Sequence, residues 1–339
     1  MRTSLLLASA ASLALASGAM AQDYVPAVIF DMGGINDGSF NESVYSGVEK
    51  FKADTGIDYL SFEVTDPSQR EELIRSAAEA GADPILGIGF AQADAISEVA
   101  ADYPKVQFGI IDVGWLDQPN LVQFVYAEHE GSFLVGIIAA LTTQTDTVGF
   151  VGGMDIDLIR KFQCGYEQGV AYANPDVEVV ANMTGDDPSA WGNPERGYEL
   201  TLGQISQGAD VVYHAAGGTG FGVLQAAADS GILGIGVDAN QNPLHPGSVL
   251  TSMLKRVDVT AYNFFNDNYT STDGELTSGV RLYDLSNDGV GYARDEYNED
   301  LLSDDVIAAV AAAQAAIIAG DLSVHDYFTT SSCENAFSN

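Results

Sequence analysis

Three carboxylates, one lysine and three aromatic rings stand directly after apolar runs in this 339-residue chain: Asp31, Asp112, Asp238, Lys255, Phe40, Phe90 and Trp191. Together these types suit a flat, polar ligand. A ring can stack on a heterocycle for roughly 1–3 kcal/mol with little regard to which base it is, and carboxylates accept hydrogen bonds from sugar hydroxyls or ring N–H groups. Lys255 is one of only five lysines, and burying it calls for a carboxylate partner such as Asp238. Covalent chemistry has no comparable support. The chain has no Gly-x-Ser-x-Gly elbow, P-loop or HExxH, and no CxxC or Cys/His cluster, so neither metal nor cofactor is expected. Gly218-x-Gly220-x-Gly222 with Asp238 downstream approaches a dinucleotide fingerprint, but its third glycine comes one residue early. It reads instead as a tight turn, beginning at Gly217, whose backbone approaches a neutral or hydroxylated ligand.

The positions of these residues follow from the elements around them. An apolar run at 25–30 reads as a strand and 42–56 as a helix, so 31–41 is a strand-to-helix turn, with Ser39 expected to cap the helix. Further strands are predicted at 59–64, 84–88, 106–111 and 122–126, then at 147–152, 177–183, 211–215, 233–237, 249–254 and 279–285. Helical patterns lie between them at 66–80, 91–103, 130–142, 156–174, 193–207, 221–230 and 257–270, and a last one at 303–320. This alternation is the signature of βαβ units, an α/β class with parallel sheets, arranged as two similar lobes. Open α/β sheets bind ligands beyond the carboxyl ends of their strands. The candidate residues occupy those ends, and two such lobes place a cleft between them.

Composition narrows the class further. Forty-eight acidic residues against 13 basic give a net charge of −35, which excludes nucleic acid or an anionic membrane surface as a charge-held partner. Residues 1–21 have a basic start, a Leu/Ala-rich run and Ala19-Met20-Ala21, the pattern of a cleaved secretory signal peptide. No cysteine stands at the cleavage site, so the expectation is a protein outside the inner membrane without a lipid anchor. In that oxidising setting Cys164 and Cys333 either form one disulfide, tying down the C-terminal tail, or remain two thiols. The four histidines are scattered and read as structural.

The segment Asp31 to Asn41 (DMGGINDGSFN), Gly89-Phe90, Val148 to Gly153 (VGFVGG), Ala216 to Gly222 (AGGTGFG) and Gly236-Val237-Asp238 resemble, in order, the basic membrane protein family. These are substrate-binding proteins of bacterial ABC importers, including purine-nucleoside receptors. The resemblance implies a type I periplasmic-binding fold, two Rossmann-like lobes joined by three crossings. Lobe one is expected at 22–126 with about 256–285, lobe two at 127–255 with about 286–325, and a tail at 326–339. It implies a nucleoside stacked on Phe40 with its base edge read by Asp31 and Asn41, while Asp112 helps close the base or sugar site. Asp238, Lys255 and the Gly217 backbone would hold the ribose. The second ring, commonly Phe, is expected to be Trp191. A monomer serving a permease and its ATPase subunits, without enzymatic activity, is the implied role. The alternatives are the same fold holding a sugar or another small polar or heterocyclic ligand, and a secreted nucleoside-processing enzyme.

Overall fold

The computed structural model describes residues 24–271, 276–333 and 337, so the expected signal peptide lies outside the described residues. Two six-stranded sheets organise the chain. In the first half β1 (Ala27–Phe30), β2 (Leu60–Glu63), β3 (Ile85–Gly87), β4 (Phe108–Ile111) and β5 (Leu121–Tyr126) alternate with α1 (Phe40–Thr55), α2 (Arg70–Glu79) and α3 (Ala93–Asp102). After α4 (Glu128–Thr142) the pattern restarts with β6 (Thr147–Met154), α5 (Asp157–Ala173), β7 (Glu178–Gly185), α6 (Pro194–Ile205), β8 (Val211–Ala215), α7 (Gly220–Ser230), β9 (Leu233–Asp238) and β10 (Val249–Lys255). Then come α8 (Val257–Thr270), β11 (Gly279–Tyr283), β12 (Val290–Tyr292) and α9 (Asp304–Ala319).

The strand orders are β11-β5-β4-β3-β1-β2 and β12-β10-β9-β8-β6-β7. Strand by strand the two sheets are counterparts: β1 with β6, β3 with β8, β4 with β9 and β5 with β10. All pairings are parallel except β12, which runs antiparallel to β10. The chain crosses between sheets after β5, after β10 and after β11. The interior strands are fully buried runs such as AVIF in β1, FGII in β4 and VVYHA in β8, as expected for sheets covered on both faces. In each sheet the strand order reverses between the first and third strands, and ligands bind in the crevice outside that switch point.

The sequence reading departs from the structure locally. The helix expected from 66 begins as a single 3-10 turn, Pro67–Gln69, which Asp66 and Gln69 close as a capping box before α2 starts at Arg70. The three-residue strand β12 has too few residues to show a period. Ser39 does not cap α1. The carboxylate of Asp37 takes that role, accepting the backbone N–H groups of Ser39, Asn41 and Glu42 at 2.9, 2.9 and 3.0 Å. No helix among the described residues is long and apolar enough to cross a membrane.

Candidate functional site

The carboxyl ends of the two sheets border a cavity between the halves. Its walls include Asp31, Phe40, Asn41, Phe90, Asp112, Trp191, Gly217, Asp238 and Lys255, all nine residues singled out from the sequence. They gather at the carboxyl ends of β1, β3 and β4 from the first half, and of β7, β8, β9 and β10 from the second.

Each side chain is set by its neighbours. Asp37 ties the turn after β1 into a compact loop and leaves the Phe40 ring on the cavity wall. Burial raises the Asp37 carboxyl above the usual range, opposed by the three N–H groups it accepts. Gly38 in this turn has φ +63°, and a Cβ there would run into the Phe221 ring of α7, in the opposite half. Only glycine permits both the backbone and the close approach. Asp31 is oriented by Arg70, whose Nε and Nη2 both donate to Oδ1, at 3.2 and 2.9 Å. Asn41 is buried and lines the cavity, and its Oδ1 has no hydrogen-bond partner among the described residues.

Asp112 and Asp238 occupy matching places, directly after β4 and at the end of β9. Both are held at positive φ, 68° and 63°. Left-handed backbone at a non-glycine residue costs energy and tends to collect at ligand sites. Asp238 accepts a 2.5 Å hydrogen bond from Ser39 Oγ. Burial pushes its carboxyl up to about 7, with Lys255 and Ser39 pulling it down and Asp37 and Asp112 pushing it further up.

Among the described residues, Lys255 is the only cation on the cavity wall. Asp238 is not its ion-pair partner, contrary to the expectation. Its Nζ lies 2.6 Å from Asp112 Oδ1 and 3.0 Å from Glu128 Oε1. The rings of Tyr126, Phe40 and Phe162 surround it at 5.0, 5.1 and 5.6 Å. Burial alone would lower the Lys255 pKa, but the Asp112 and Glu128 carboxylates outweigh it and hold the ammonium above its usual range. Trp191 ends a 3-10 turn, Pro188–Trp191, fixed by the hydroxyls of Thr184 and Thr219, which donate to Ala190 O at 3.1 and 2.7 Å. The indole covers Gly153, where any Cβ would collide with it, and borders Gly217.

Sequence reasoning missed Phe162, Leu158 and Ile159, which enter the wall from the first turns of α5. It also missed Asp37, Arg70 and Glu128. Attention to strand ends alone overlooks a helix that starts just beyond one. The Leu158/Phe162 pair, four apart and therefore on one helix face, was the available signal. Away from the cavity, a disulfide joins Cys164 of α5 to Cys333 of the tail.

The sequence matches the family described as "Bmp: ABC transporter substrate-binding protein PnrA-like" over residues 24–326. The chain belongs to this family. The family comprises extracytoplasmic substrate-binding proteins rather than enzymes, and its setting implies a small-molecule ligand and a transporter as partner. Among relatives of this Bmp-family protein, a "CD4+ T-cell-stimulating antigen" of Listeria innocua is 34% identical, covering 89% of this chain and 88% of its own. A Lactococcus lactis relative named "ABC transporter nucleoside-binding protein BmpA" is 30% identical over 91% of each chain. A solved ABC transporter solute-binding protein of Aeropyrum pernix has a TM-score of 0.80 at 28% identity, covering 88% of this chain and 92% of that one. The family and this likeness establish the type I periplasmic-binding architecture.

Proposed function

We propose that this protein captures a nucleoside, with a purine base, in the cavity between its halves and delivers it to an ABC permease and its ATPase subunits. The observation that carries the reading is the mixed character of the cavity wall. Phe40, Trp191 and Phe162 supply ring faces beside a cluster of Asp112, Asp238 and Lys255. A base requires the first and a sugar the second. Under this reading Phe40 stacks the base, Asp31 and Asn41 take its edge, and Asp238, Lys255 and the Gly217 backbone hold the ribose hydroxyls. The name of the Lactococcus relative points the same way. The ligand's differential affinity for the closed arrangement is what the permease would sense. The protein acts as a monomer outside the inner membrane and does no covalent chemistry.

The test is mass spectrometry of the small molecule released when the natively purified protein is denatured. A nucleoside in stoichiometric amount is expected. A free sugar or an amino acid in its place would overturn the assignment, and free base accumulating from added nucleoside would indicate an enzyme.

A further inference from the structure

Two of the five lysines are buried side by side, and only one of them touches the cavity. Lys161 immediately precedes the cavity residue Phe162 on α5, but its ammonium points away from the ligand space. It donates to the carbonyl of Tyr126 at 2.6 Å and lies 2.9 Å from Glu128 Oε2 and 3.5 Å from Asp326 Oδ2. Three acceptor groups thus surround the ammonium, one by a hydrogen bond and two by charge. Glu128, 1% exposed at the start of α4, is shared: its other oxygen, Oε1, holds Lys255 at 3.0 Å. The chain of contacts therefore runs from the C-terminal tail through Lys161 and Glu128 to the cation of the ligand site.

Asp112 and Glu128 both face Lys255, and Glu128 faces Lys161 as well, in a region where a charge left without a partner is costly. Burial would raise the Glu128 carboxyl, but the two ammonium groups outweigh it and hold it down at about 2. The outer side of Lys161 is closed by the tail. The Phe328 ring lies 5.1 Å from its Nζ, and Gln168 of α5 pairs with the backbone of His325, donating to its carbonyl at 3.0 Å and accepting its N–H at 2.8 Å. The Cys164–Cys333 disulfide fastens the same tail to α5.

We infer that Lys161 is a positioning residue for ligand binding, fixing Lys255 through the shared carboxylate of Glu128 although it never meets the ligand. Without it, Glu128 and Asp112 compete for one ammonium, and Lys255 is drawn toward Glu128 and away from the cavity. The consequence for affinity rests on the nucleoside reading above. The displacement of Lys255 does not.

The test uses the full protein with inosine as probe and follows the side-chain ammonium resonance of Lys255 by nitrogen-15 NMR, with and without inosine. K161M should shift that resonance in the ligand-free protein and weaken inosine at least about tenfold. K161R keeps a cation against Glu128 and should hold the Lys255 resonance and most of the affinity near the wild-type values. An unmoved Lys255 resonance in K161M, or K161R as perturbed as K161M, overturns the inference. Should K161M fail to fold, K161Q is read by the same resonance. Wild-type protein that ignores inosine would contradict the nucleoside reading alone, because the ligand-free resonance still judges Lys161.

Discussion

Ser39 Oγ donates a 2.5 Å hydrogen bond to Asp238 Oδ2, joining residues 199 positions apart, one in the turn after β1 and the other at the end of β9 in the opposite sheet. The neighbouring Gln241 Nε2 donates to Gly38 O at 2.8 Å. The turn after β1 is therefore bound directly to the end of β9, beside the cavity. These contacts belong to the arrangement in which the halves meet, so they add to whatever stabilisation a ligand brings. Ser39→Ala removes one of them and should weaken ligand binding roughly tenfold, the order expected for a hydrogen bond to a charged group. Titration calorimetry checks this; an unchanged affinity would mean that the bond is absent from the bound form.

Asp238 gives a pH dependence whose sign can be worked out. Its carboxyl is raised from 3.8 to about 7 in the folded protein, so between those values the folded chain holds a proton that the unfolded chain has lost. This group therefore makes the empty protein less stable as pH rises from about 4 to about 7, by up to a few kcal/mol, and adds nothing further above that. Ligand binding should show the opposite trend. Sugar hydroxyls donate to the ionised carboxylate, so affinity should rise from about pH 6 to about pH 8 with release of a proton. Calorimetry in buffers of different ionisation enthalpy measures that proton. Asp238→Asn should flatten the profile, and a profile that stays steep assigns it to another group.

Phe40→Ala tests the stacking role. Losing one base-stacking face should cost roughly 1–3 kcal/mol of binding, about tenfold to a hundredfold. The ring is half-buried on the cavity wall rather than in the core, so the melting temperature should change little. A large fall in melting temperature with unchanged affinity would assign Phe40 to packing.

The disulfide tethers the tail across a separation of 169 residues. In the chain-entropy account, closing so long a loop restricts the unfolded state and stabilises the fold by up to roughly 5 kcal/mol. Denaturation midpoints with and without reductant should differ in that direction. Equal midpoints would show that the tail adds no constraint on the unfolded chain.

The architecture was legible because both sheets are parallel and buried. Such strands read as short apolar runs, and the helices between them show a different period, so β1 through β10 were each found within a few residues of their ends. One rule about strand ends then selected nine residues that share one cavity wall. What was not legible depends on contacts between the halves. Lys255 was expected beside Asp238, but its partners are Asp112 and Glu128. That choice depends on how the first residue of α4 sits against the end of β10, and neither sequence segment records it. Ser39 was expected to cap its own helix. Asp37 does so instead, which frees the hydroxyl to reach Asp238. Phe162 was hidden because apolar residues on a helix commonly signal core.

Calorimetric titration of unfolded-and-refolded, ligand-free protein with inosine, free hypoxanthine and ribose tests the central claim most directly. The account predicts saturable one-to-one binding of inosine, with the base alone and the sugar alone each at least about a hundredfold weaker, because each fills only half of the cavity chemistry. Ribose binding as tightly as inosine, or inosine failing to bind while ribose saturates the site, would contradict it.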